Sequence, residues 1–67
     1  MTKFEEMYGV NFIPNARQVK EEVLRVLKSF DRLVDCDEIL NAVYGFFGES
    51  NLVQDAAIEG WIKFYSN

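Results

Sequence analysis

Two segments of helical period, Asp35 to Phe47 and Asn51 to Tyr65, flank the turn Phe47-Gly48-Glu49-Ser50. Together they carry six of the ten aromatic residues: Tyr44, Phe46, Phe47, Trp61, Phe64 and Tyr65. Aromatic side chains contribute the most apolar area per residue, so any core must be built around this pair. The chain has 67 residues, the length of one small domain. Such a chain buries only about 60% of its unfolded surface. Cys36 is its only cysteine and it has no histidine. That excludes a disulfide framework and the usual structural zinc sets, so packing must hold the domain. An apolar fraction of 49% is high enough to argue against intrinsic disorder.

The N-terminal stretch reads as an arm. Thr2-Lys3-Phe4-Glu5 has the capping-box pattern and predicts a short helix over about Lys3-Tyr8. Gly9 would end it in a left-handed conformation. Phe4, Met7 and Tyr8 would share one face. Val10 to Ile13 reads as extended, because Pro14 biases Ile13 away from helix. Residues 1–14 would then pack over the bundle as a lid or present their aromatics to a partner.

Asn15 and Gln18 form a second capping pair, and the helix after them is predicted over about Ala16-Phe30. Val19, Val23, Val26, Leu27 and Phe30 make one apolar stripe, which Leu33 and Val34 extend. Arg17, Arg25, Lys28 and Arg32 fall on the opposite side, with Lys20 at its edge. Glu21 lies among them, about one turn from Arg25 and two from Lys28, so local ion pairs are available. Asp35-Cys36-Asp37-Glu38 repeats the capping-box pattern before a helix over Cys36-Phe47. Its acids also suit the positive end of the helix dipole. Ile39, Leu40, Val43, Tyr44, Phe46 and Phe47 share its apolar arc. Gly45 marks either a close backbone approach or an exposed face, and Gly48 is the natural stop.

The last helix, about Leu52-Tyr65, has Ser50 or Asn51 as its cap. Val53, Ala57, Gly60 and Phe64 form one side of its apolar arc, and Ile58, Trp61, Ile62 and Tyr65 the other. Asp55, Glu59 and Lys63 are its only clear polar strip. An arc of about 200° is wider than two neighbouring helices usually cover. The predicted fold is all-α: a single small three-helix bundle with a short N-terminal helix and an extended arm.

Several chemistries are excluded. Without histidine there is no ordinary general base near neutral pH. Cys36 has no histidine partner, and Asp35, Asp37 and Glu38 oppose a thiolate there. The acids from Asp31 to Glu38 lack the spacing and central glycine of a calcium loop. Gly45-Phe46-Phe47-Gly48 is too bulky for a phosphate cradle. A helix-turn-helix would read bases with Asn51 and Gln54, yet Asp55 and Glu59 would then face phosphates. These observations predict a protein that is not an enzyme and needs no cofactor, metal or small-molecule substrate.

The net charge of −4 makes nucleic acid an unlikely partner. Uncharged runs such as Ile39 to Gly48 are about half the length of a membrane span, so no membrane association is expected. The acidic N-terminus lacks a secretory pattern, and a cytoplasmic location is expected. The functional expectation is a protein-interaction module: a regulator, inhibitor or adaptor of the kind small phage proteins supply. Ile58, Trp61, Ile62 and Tyr65 would bind a protein partner. The small residues Ala56, Ala57 and Gly60 would alternatively join a homodimer. The other reading is nucleic-acid association through a basic stripe of Arg17, Lys20, Arg25, Lys28 and Arg32, paired across a dimer.

Overall fold

The computed structural model describes residues 2–9 and 12–66. The chain forms the expected all-α bundle: α1 (Lys3–Tyr8), α2 (Ala16–Lys28), α3 (Cys36–Phe47) and α4 (Asn51–Ser66). Helices α2, α3 and α4 each pack on both of the others, and α1 lies against α3. Each helix spends one stripe on the common core. Val19, Val23 and Leu27 come from α2, Ile39, Val43 and Phe47 from α3, and Val53, Ala56 and Ala57 from α4. All three sets follow helical spacing. Phe4 and Val34 complete the core from outside the three helices. Each fully buried apolar side chain of this size contributes about 1.5–3 kcal/mol.

The caps set the helix ends. At α1 the box is complete: the Glu5 amide donates to Thr2 Oγ1 at 3.2 Å, and the Thr2 amide donates to Glu5 Oε1 at 2.8 Å. The bonds from the Thr2 backbone and hydroxyl hold the Glu5 carboxyl below its ordinary range. Asn15 and Gln18 exchange the same pair of bonds at 2.8 and 2.9 Å. At α3 only half of the expected box forms. The Glu38 amide donates to Asp35 Oδ1 at 2.9 Å. The Glu38 carboxylate is instead taken by the Arg32 guanidinium, at 2.7 and 3.1 Å. A bidentate guanidinium outcompetes one backbone N–H for the same oxygens.

Gly9 and Gly48 end α1 and α3 with φ of 97° and 90°. Their ψ values of 156° and 158° lie outside the left-handed helical region expected for Gly9. This extended, positive-φ conformation is essentially confined to glycine, and it turns the chain sharply away from the helix axis. Helix α2 ends two residues earlier than predicted. The Ser29 hydroxyl donates to the Val26 carbonyl at 2.6 Å, alongside the Ser29 amide at 3.1 Å. A side-chain donor of this kind competes with continuation of the helix. Phe30 therefore leaves the apolar stripe and is exposed, with the Arg32 guanidinium carbon 5.1 Å from its ring centroid.

Helix α4 starts one residue earlier and ends one later than predicted. Its cap is Ser50, whose Oγ accepts from the Val53 amide at 3.2 Å. Ser50→Ala is therefore expected to cost about 1 kcal/mol. Asn51→Ala, one position inside the helix, should be close to neutral. Urea midpoints of the two variants check this; equal losses would reassign the cap.

The arm is tied down by one residue. Phe4 is 2% exposed, with its ring 5.1 Å from Phe47 and 6.4 Å from Phe46 between centroids. Tyr8 and Phe12 stack on each other at 5.2 Å over the outside of Phe4. Phe4, Met7 and Tyr8 lie on one side of α1 as expected, but only Phe4 is buried, and Met7 and Tyr8 stay exposed. Of the segment expected to be extended, Val10 and Asn11 lie outside the described residues. Phe12 to Asn15 form neither helix nor strand.

Candidate protein-interaction surface

Trp61 and Tyr65 lie one turn apart on α4, with rings 5.7 Å apart and close to edge-on. Both point their polar atoms at one backbone unit in the α2–α3 link. Trp61 Nε1 donates to the Val34 carbonyl at 2.7 Å, and the Val34 amide donates to Tyr65 Oη at 2.9 Å. Val34 is a core residue in an irregular segment, so its N–H and C=O need partners that no helix supplies. The two aromatics supply them while covering the link with apolar area. Trp61 and Tyr65 are consequently half-buried. Ile58 is also half-buried, and Ile62, at 51% exposure, is the only one of the four on the open surface.

The small residues of α4 are likewise spent inside the molecule. Ala56 and Ala57 are buried. A Cβ added at Gly60 would lie 3.3 Å from Val23 Cγ1, 3.5 Å from Val23 Cβ and 3.7 Å from Lys20 Cγ. Gly60 is thus a point of close approach between α4 and α2. Gly45, by contrast, faces open space.

The basic stripe is dispersed. Arg32 lies outside α2, in the link, where Glu38 pairs with it. Arg17 lies 3.8 Å from Glu21, Lys20 lies 3.5 Å from Glu59 on α4, and Arg25 chelates Glu22 rather than Glu21. Arg32 lowers the Glu38 carboxyl and is itself raised by it; the Arg25 guanidinium is raised by Glu22. Among the described residues, Lys28 is the one member of the stripe without an ion pair. Arg32 thus lies beyond the end of α2, and two of the four pairing acids, Glu21 and Glu22, come from α2 itself.

A groove of about 650 Å³ opens along the seam of α2 and α4. Leu24, Gly60 and Phe64 form its apolar floor, and Arg17, Lys20, Glu21 and Lys63 its edges. Leu24 is 41% exposed, Phe64 half-buried. The sequence placed Phe64 on the core side of α4 and left Leu24 unassigned. Leu24 was detectable as an apolar residue one position off the Val19–Val23–Leu27 stripe, among charged neighbours. Its pairing with Phe64 was not detectable, because that depends on how α2 and α4 cross.

The Cys36 thiol is pushed up by burial and by the Asp37 and Asp35 carboxylates, so it is held as the unreactive thiol. Among the described residues, no three His, Cys, Asp or Glu side chains are grouped to hold a metal ion. No described helix is long and apolar enough to cross a membrane. Nothing among protein-family models, curated proteins or solved structures matches the chain.

Proposed function

We propose that this protein is a protein-interaction module, a regulator or adaptor that acts by binding, with the α2/α4 seam as its docking surface. The observation that carries the reading is the groove itself. The buried polar groups are spent inside the domain: no buried side-chain polar atom lacks a partner among the described residues, and Trp61 and Tyr65 are tied to Val34. At the seam, exposed Leu24 and half-buried Phe64 border a groove that charged side chains also line. That is the pattern of a helix-in-groove receptor. No catalytic role has a residue set behind it, with histidine absent and the one thiol held protonated. Nucleic-acid association through Arg17, Lys20, Arg25, Lys28 and Arg32 ranks lower. Four of these five cations already pair with carboxylates, which phosphates would have to displace.

The test is site-specific photo-crosslinking in the cells that produce the protein. A crosslinking side chain at Leu24 is expected to give discrete protein adducts. The same group at Asn41, exposed on α3, serves as the control and is expected to give none. Adducts at neither position, or equally at both, would remove the α2/α4 seam as the docking surface.

A further inference from the structure

Three of the seven basic residues of this acidic chain, Arg17, Lys20 and Lys63, line the α2/α4 groove, against one of its eleven acids, Glu21. We infer that the groove takes an acidic, amphipathic helical segment of another protein, seated by an apolar anchor on Leu24 and Phe64 and held by carboxylates at the three cations. The inference rests on the interaction-module reading and names the chemistry of its partner. Length favours a helix. The α2 edge from Arg17 to Leu24 spans two turns, about 10 Å at 1.5 Å per residue, which matches anchors two turns apart on a docked helix. Charge favours acid. Glu59 lies beside Lys20 at 3.5 Å, and Glu21 beside Arg17 at 3.8 Å, but these pairs are long and largely solvent-exposed. Exposed pairs of this sort are weak, so an incoming carboxylate can share or replace them at little cost. Lys63 has no ion pair among the described residues and offers an uncommitted charge. The remaining surface, with four basic residues and ten acidic ones, would repel the same segment and so orient its approach.

The experiment uses the intact chain, labelled with ¹⁵N, and two synthetic helical peptides. Both carry leucines two turns apart; one has glutamates beside them, the other lysines at the same positions. The glutamate peptide is expected to shift the amides of Leu24, Gly60 and Lys63. The lysine peptide should bind at least about tenfold more weakly, and raising salt should weaken the glutamate complex. Lys63→Glu should weaken it by about tenfold, while its circular dichroism stays that of the parent because Lys63 is exposed.

Equal binding of the two peptides, or no binding of either, would overturn the inference. So would a single-stranded oligonucleotide that shifts the same amides at lower concentration than the peptide, or a homodimer with the groove in its interface. If Leu24 crosslinks a partner through a segment that is not acidic, the module reading stands and this inference alone falls. Absence of any Leu24 adduct removes the module reading first.

Discussion

Trp61→Ala is expected to cost a large share of the domain's stability, about 4 kcal/mol, and not only to uncouple a folded protein from its partner. Burial of a Trp or Phe side chain is worth about 3–5 kcal/mol on truncation to alanine. Trp61 is half-buried, so its packing loss falls near the lower end, at about 3 kcal/mol. The Val34 carbonyl, now without Nε1 at 2.7 Å, adds about 1 kcal/mol. A domain of 67 residues has a total stability of only about 3–10 kcal/mol. Two milder variants separate the contributions. Trp61→Phe keeps most of the ring and loses the donor, at about 1–2 kcal/mol. Tyr65→Phe deprives the Val34 amide of its acceptor, at about 1 kcal/mol. Urea unfolding followed by circular dichroism ranks the three. If Trp61→Ala keeps the parent midpoint, Trp61 is not the clasp of the α2–α3 link. The ranking also matters for binding work, since a partner lost on Trp61→Ala would report the loss of the fold.

The second large effect is at Gly60. Leucine there must place its Cβ 3.3 Å from Val23 Cγ1, closer than ordinary van der Waals contact, so Val23 or the α2/α4 spacing must give. Overpacking of this kind costs about 1–3 kcal/mol, and better helix propensity returns less than 1 of it. A net loss of about 1 kcal/mol is expected. Alanine at the two helical glycines makes the comparison sharp. Gly45→Ala meets nothing within 4 Å and should stabilise the protein by about 0.5–1 kcal/mol. Gly60→Ala gains the same propensity but presses on Val23, so it should not match that gain. Thermal unfolding of the three variants decides. Equal stabilisation by Gly45→Ala and Gly60→Ala would mean that the α2/α4 seam is looser than its distances.

Much of the fold is legible along the chain because it depends on local rules. The Thr2, Asn15 and Asp35 caps are read correctly, since a cap is a contact between residues three apart. The core stripes of α2 and α3 follow from a period of 3.6 residues. Errors begin where a local pattern has a distant competitor. Glu38 matches a capping box, yet Arg32, six residues back, takes its carboxylate. Leu33 and Val34 look equivalent on an extended stripe. The link turns so that Val34 is buried and Leu33 is 80% exposed.

The candidate site shows the same division more strongly. An unusually wide apolar arc on α4 is a property of the sequence, and so is the excess of apolar residues in an acidic chain. Which part of that arc remains open is not. The link after α2 folds back over Trp61 and Tyr65, because a buried Val34 backbone needs a donor and an acceptor that only those side chains supply. Gly60 brings α2 close, which consumes the small-residue face and leaves Leu24 and Phe64 bordering a groove. The sequence by itself determined four helices, three of their caps and most of the core, all set by spacing and residue type. Only the tertiary structure decided which apolar residues face water, because exposure is a property of the neighbours each helix meets and not of the helix alone.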